Sequence, residues 1–282
     1  MIGHPQYAAV NQPFADLLAT RRPLIAVHRG SGRGSIAENT LKGIRAAIAE
    51  GAAIVEIDIV RSTDGDHFLF HDGYEPMHLG IEANIRTLST AEIEQLGYRW
   101  CISDAALYPV ERLRTVLDAC PDVFFNVDRS WWWWPGLLDE LAEHGVPSHL
   151  LLKSPVQDDA LEALSTHPTK FPYIPIVKTV EEVERVWADE AINMVGVELV
   201  ASDPDHPFCD ADYVASIRER GLVALMNGLN LANRIPLYAG FDDEVSLLVD
   251  PDRGWGEMIA RGADIIQTDW PGLLDRYLER LT

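Results

Sequence analysis

Two histidines, an arginine and a pair of carboxylates terminate or punctuate three short apolar runs near the start of the chain. LIAV, Leu24 to Val27, leads into His28 and Arg29. AIVEIDI carries Glu56 and Asp58. FLF, Phe68 to Phe70, leads into His71 and Asp72. Side chains two apart on a strand point the same way, so Glu56 and Asp58 share a face. Carboxylates side by side repel unless a positive charge lies between them, and hard cations such as Mg2+ and Ca2+ take oxygen ligands. Histidine is the side chain best suited to moving protons near neutral pH. Two proton carriers, a cation and a carboxylate pair are what metal-assisted cleavage of a phosphate ester requires. An ordinary half-buried strand also alternates as IVEIDI does. What singles the region out is the gathering of these groups on neighbouring runs.

The elements that must position them read as alternating strands and helices. Strands are expected at Leu24 to His28, Ala53 to Ile59, Phe68 to His71, Val123 to Asp128, His149 to Lys153, Tyr173 to Lys178, Met194 to Leu199, Leu222 to Asn227 and Ile265 to Asp269. The Asp64-Gly65 pair marks a turn. Helical spacing appears at Thr40 to Glu50, with Leu41, Ile44, Ala47 and Ile48 on one face. Ser89 or Thr90 followed by Glu92 or Glu94 has the form of a capping box. A helix around Phe14 to Thr20 is expected to cover the bottom of the fold, and Leu231 to Asp252 reads as irregular, suited to a lid. The GSGRG segment, Gly30 to Gly34, is a loop rich in backbone N–H groups.

The 282 residues suffice for one large barrel or two ordinary domains. The net charge of −21, from 23 basic and 44 acidic residues, argues against a nucleic-acid partner and against an anionic membrane surface. It also opposes an anionic substrate unless a metal or local cations reverse the field at the site. Cys101, Cys120 and Cys209 make neither a zinc spacing nor a disulfide framework, which suits free thiols in a reducing compartment. The first residues lack the pattern of a signal peptide and no apolar run is long enough to span a membrane, so a cytoplasmic location is the expectation.

The order HRG, ENT, GAAIVEIDIVRSTDG and HD between Ala26 and Asp72 resembles the glycerophosphodiester phosphodiesterase family. The similarity resumes in GADIIQTDWPGLL, Gly262 to Leu274. The resemblance implies an α/β fold. It would be a single (β/α)8 TIM barrel over residues 1–282, with a small insertion after the third strand at about 73–110 that walls the pocket. Nine expected strands exceed eight, and the surplus one is sought around the sixth and seventh. The resemblance further implies a phosphoric diester hydrolase of lipid and glycerol metabolism. It would convert a glycerophosphodiester and water to glycerol phosphate and an alcohol.

By the same resemblance His28 and His71 are the general acid and base, and Glu56, Asp58 and Asp128 hold one divalent cation. Mg2+ or Ca2+ is expected because all three ligands are oxygens, with Mn2+ a further candidate. Arg29 binds phosphate. On strand four the family carries E-x-K, whereas here Asp128 stands at the Glu position and Ser130 at the Lys position. Lys153, ending HLLLK, is the candidate replacement cation, and Arg129 is expected to point to the opposite face of a regular strand. Trp131 to Trp134 follow the strand end, and at least one, Trp131, is expected in the pocket wall, where it could stack on a sugar. Glu198 either binds a substrate hydroxyl or makes a structural ion pair, and Asn227 or Asn230 could bond a polyol. Two rival functions follow. One is cleavage of a sugar phosphodiester, agrocinopine-like or another sugar-phosphate conjugate. The other is a non-catalytic binder of polyol phosphates.

Overall fold

The computed structural model describes residues 1–99 and 108–281. Among the described residues nine strands are present: β1 (Leu24–Val27), β2 (Ile54–Arg61), β3 (His67–Leu69), β4 (Phe124–Asp128), β5 (Leu150–Leu152), β6 (Ile176–Val177), β7 (Gly196–Leu199), β8 (Val223–Asn227) and β9 (Ile265–Thr268). Eight of them form a curled parallel sheet in the order β5-β4-β2-β1-β9-β8-β7-β6. Its two ends meet. Parallel bridges join Leu152 to Tyr173 and Pro155 to Ile176, and the amides of Ile174 and Ile176 donate to the carbonyls of Leu152 and Ser154, each at 2.9 Å. This is the TIM-barrel arrangement, in which strands covered on both faces read as continuous aliphatic runs.

The surplus strand is β3, not one near β6 and β7. It pairs antiparallel with β2, with Ile59 opposite Leu69 and Arg61 opposite His67. The cause is the tight connection at Asp64-Gly65, where Gly65 adopts φ 108°. A short turn can only return a strand antiparallel, since a parallel neighbour needs a crossover of a dozen residues or more. The hairpin therefore folds off the barrel. His71 lies two residues beyond its end rather than on it.

Alternation sorts the barrel side chains into two layers. Ile25, Val27, Val55 and Ile57 face the helices. Leu24, Ala26, Ile54, Phe124, Leu151, Val195 and Leu225 make the inner apolar floor. Ile54, Glu56 and Asp58 share a parity, so the two carboxylates continue the inner face above that floor.

The floor is closed from below by α1 (Ala8–Thr20), longer than the sequence suggested, whose Phe14 and Leu18 are buried in the inner cluster. Residues on the 73–99 stretch pack with the hairpin around Phe68, Phe70, Leu79, Ile85, Ile93 and Tyr98. The capping box forms there between Ser89 and Glu92. Trp100 and Cys101 lie outside the described residues. The supposedly irregular stretch contains a helix, Asp243–Leu248, capped by Asp242, which accepts from Val245 N at 2.9 Å. Six residues are too few for periodicity to reveal it. Among the described residues no helix is long and apolar enough to cross a membrane.

Because Phe14 is fully buried in the inner cluster that floors the barrel, Phe14→Ala should cost about 3–5 kcal/mol in urea unfolding. The folded fraction should keep its catalytic parameters. A loss under 1 kcal/mol would contradict the role given to α1.

Candidate active site

The site lies at the C-terminal ends of the parallel strands. β2 and β4 pair in register, with Glu56 beside Asn126 and Asp58 beside Asp128. One carboxylate oxygen from each of Glu56, Asp58 and Asp128 falls within 4.8 Å of the others. Glu56 and Asp58 are buried. Burial, then the charge of Asp58, pushes Glu56 up to about 8. Burial, the largest single effect, acts the same way on Asp58, but Arg29, His71, His28 and the Asn39 hydrogen bond together hold that carboxyl below its ordinary value.

Neighbouring backbone is bent to serve this trio. Arg29 adopts φ 54° and Asn39 φ 51°, in the left-handed region that few non-glycine residues occupy. Each is held there by a carboxylate or its neighbours. The Arg29 amide donates to Glu56 Oε2 at 2.8 Å, and its guanidinium Nε lies 3.0 Å from Asp58 Oδ2. Asn39 donates its amide nitrogen to Asp58 Oδ2 and accepts from Asp58 N, both at 3.1 Å. Glu38 pairs with the far side of Arg29 at 3.0 Å. Gly30 has no room for a side chain, since a Cβ would meet the Ile44 amide at 3.1 Å.

The two histidines occupy opposite electrostatic settings. His28 Nδ1 is 2.9 Å from Asp269 Oδ1. Burial disfavours its charge, but the Asp269 hydrogen bond and charge prevail and raise it to about 9. Asp269 is itself positioned, because its amide donates to Asp243 Oδ2 at 2.9 Å. The other Asp243 oxygen accepts from the Thr268 hydroxyl and the Trp255 indole, each at 2.8 Å. His71 donates Nδ1–H to the Asp72 carbonyl at 2.8 Å and meets the edge of Tyr74. Burial, the largest effect, lowers its affinity for protons; Asp58 pulls the other way, and Arg29 and Arg129 add their repulsion.

On the other side of the trio Lys153 Nζ lies 2.8 Å from Asp128 Oδ2 and 3.2 Å from Glu198 Oε2. Asn227 donates to the second Glu198 oxygen at 2.7 Å. Glu198 thus makes the expected ion pair and also lines the cavity. Ser130 turns back to the Val127 carbonyl. Arg129 does not point away as a regular strand would require. Its φ of 55° ends the strand, and its side chain lines the cavity, pairs with Asp72 through Nε at 3.1 Å and stacks on Trp132.

His28, Arg29, Asp58, His71, Asp128, Trp131, Lys153 and Glu198 all line one cavity of about 530 Å3, with Glu56 buried among its neighbours. Of the four tryptophans, only Trp131 lines that cavity. Trp132 is exposed, while Trp133 and Trp134 pack against the core. Asn227 lines it too, whereas Asn230 instead caps the Asp243–Leu248 helix by accepting from Glu244 N at 3.0 Å. Sequence reasoning missed four functional candidates: Glu38, Asn39, Arg129 and Asp269. The ENT and QTD motifs contained three of them. Nothing in the sequence announces the turn that redirects Arg129.

The trio fits a hard divalent cation. Its donors are all oxygens, and Glu56 Oε1 is buried with no hydrogen-bond partner among the described residues, an unsatisfied acceptor beside two other carboxylates. Calorimetric titration with Mn2+ should show one binding site, weakened at least tenfold in Glu56→Gln. Without cation, Glu56→Gln should melt no lower than the wild type, because the amide oxygen can still accept from the Arg29 amide and burial and Asp58 already disfavour a charge at this position. Equal Mn2+ affinity of the two proteins would contradict the assignment.

The glycerophosphoryl diester phosphodiesterase family model matches residues 28–132. A second family, described as a domain of unknown function, matches residues 173–278. No curated protein sequence matches the chain. Among solved structures, a glycerophosphoryl diester phosphodiesterase from Parabacteroides distasonis is 17% identical, with a TM-score of 0.77 over 95% of this chain and 92% of that one. An Oleispira antarctica phosphodiesterase, solved with the product sn-glycerol-3-phosphate, is 19% identical, with a TM-score of 0.69 over 93% and 99%. A Thermotoga maritima glycerophosphodiester phosphodiesterase is 21% identical, with a TM-score of 0.65 over 91% and 99%. The fold is shared across these chains. The family match spans the HRG, ENT, ExD and HD segments that suggested the resemblance. Residues 28–132 thus match the glycerophosphoryl diester phosphodiesterase family, a family of phosphoric diester hydrolases.

Proposed function

We propose that the protein hydrolyses a glycerophosphodiester to glycerol phosphate and an alcohol, with a divalent cation and with His28 and His71 as acid and base. The whole chain is read as one barrel domain, with the 73–110 stretch as an insertion that walls the pocket. One observation carries the mechanism. Two histidines with oppositely shifted proton affinities border the same cavity as the carboxylate trio. A pair of titratable groups pushed apart in this way is the usual arrangement for an acid and a base acting together at neutral pH.

A cation held by Glu56, Asp58 and Asp128 supplies Lewis-acid polarisation of the phosphate oxygens when bound. Arg29 and Lys153 add fixed positive charge where negative charge builds in the transition state. Each is already anchored by carboxylates, so little reorganisation is needed when substrate arrives. His71, neutral at pH 7, takes the proton of the attacking oxygen, from water or a neighbouring substrate hydroxyl. His28, protonated and steadied by Asp269, delivers a proton to the leaving alcohol oxygen. Arg129, tied to Asp72, screens His71 from protonation.

A sugar phosphodiester is the second reading, favoured by a single observation, the Trp131 ring in the cavity wall. A merely binding role is disfavoured by the intact set of both histidines and all three carboxylates around one cavity.

Loss of either histidine should lower kcat/KM on a glycerophosphodiester by about 10²–10⁴-fold with little change in melting temperature. The wild-type pH profile should rise at pH values below the ordinary histidine range, as His71 loses its proton. It should fall near 9, as His28 loses its own. Asp269→Asn leaves His28 buried but removes its anionic partner. The alkaline limb should therefore move down towards neutrality, and activity at pH 8 should drop. A profile unchanged by Asp269→Asn, or full activity in His28→Ala and His71→Ala, would overturn the mechanism.

A further inference from the structure

Resting on the phosphodiesterase reading, we infer that the diester this site takes carries an uncharged apolar group, alkyl or aryl, on its second alcohol. The cavity has two chemically distinct parts. Around the trio it is charged. Its apolar lining comes from Ile176 and Val200, beside the ends of β6 and β7, and from Leu229, Leu231, Ile235 and Leu237 after β8, while Trp131 lines it just beyond β4. Ile235 borders this space while 56% exposed, so an apolar surface there awaits cover.

The alternatives fit this wall poorly. A cationic alcohol such as choline needs an available carboxylate or several aromatic faces. Among the described residues three carboxylates line the cavity, and each is engaged: Asp58 by Arg29, Asp128 and Glu198 by Lys153. Trp131 is the one aromatic among the cavity's lining residues apart from histidines. Arg29, Arg129, Lys153 and Lys178 also line it and attract the phosphate while repelling a second cation. A sugar needs several convergent donors and acceptors, and beside the aliphatic wall the described lining residues keep only the Ser202 hydroxyl, the Asn233 amide nitrogen and Lys178 for it, since three other polar atoms there are already used. His206 accepts from Phe208 N at 3.1 Å, and its other ring nitrogen lies 3.1 Å from the Lys178 carbonyl. Asn233 accepts from Ile235 N at 3.0 Å. Unsatisfied acceptors remain on the strand ends instead, at Asn227 Oδ1 and Gln267 Oε1, both buried and both on cavity-lining residues. Those suit the hydroxyls of the retained glycerol. Polar and apolar recognition are thus divided between strand ends and the 229–237 segment.

The test is kcat/KM with Mg2+ for glycerophosphodiesters of methanol, butanol and hexanol, alongside glycerophosphocholine and a glycerophosphoglucose. Each methylene added should raise kcat/KM about three- to fourfold while it finds wall to cover. The hexyl ester should exceed the choline and glucose esters by more than tenfold. Ile235→Ser changes an exposed side chain on which the core does not rest and should make the chain-length slope shallower. A flat series, or preference for the choline or glucose ester with turnover intact, overturns this inference and leaves the phosphodiesterase reading standing. No turnover of any ester removes that reading, and this inference with it.

Discussion

Three carboxylates held within 4.8 Å of one another are the constraint around which this molecule is built. At the effective dielectric of a protein, each such pair of charges repels by about 3.5 kcal/mol. Parallel, in-register pairing of β2 and β4 makes the approach unavoidable once Asp58 and Asp128 occupy their strand ends. The surroundings answer it. Arg29 and Lys153 approach from two sides, the Asn39 amide donates to Asp58, and the Arg29 backbone amide donates to Glu56. The left-handed conformations of Arg29 and Asn39 follow, since an extended chain would not aim those groups at the same oxygens. One oxygen of Glu56 is still left without a partner, and that remainder is what a divalent cation satisfies.

The same concentration of charge separates the histidines. His28 has gained a carboxylate of its own in Asp269, whereas His71 faces Arg29 and Arg129 and donates to a carbonyl. The barrel therefore does more than present residues at its rim. Asp243, buried behind Asp269, accepts from Thr268, Trp255 and the Asp269 amide together, and so fixes the last strand end against the first. Positioning of His28 thus depends on a residue that no motif pointed to.

What could be read beforehand was whatever is local and periodic. Alternation in IVEIDI put Glu56 and Asp58 on one face, and the pairing of β2 with β4 bears this out. Ser89 and Glu92 declared their cap. The aliphatic strands and most of the helices stand close to where their spacing put them. Long-range or aperiodic features escaped. The Asp64-Gly65 pair signals a turn, but that the strand after it runs antiparallel to β2 and leaves the barrel is a matter of pairing that the local pattern does not display. Arg129 was assigned by the parity of a regular strand, and a single positive φ reversed it. The His28–Asp269 contact joins residues 241 apart, and nothing local signals it. The four tryptophans look alike in the sequence but divide into one cavity residue, one exposed residue and two packed against the core.

The measurement that bears most directly on the central claim is phosphorus NMR of a glycerophosphodiester incubated with the wild-type protein, with Mg2+ and again with EDTA. The account predicts that the diester resonance is replaced by that of glycerol phosphate with Mg2+, and that EDTA stops the conversion. Conversion that continues unchanged in EDTA would contradict the role given to Glu56, Asp58 and Asp128. An untouched diester resonance in both samples would contradict the assignment of the cavity to phosphodiester hydrolysis.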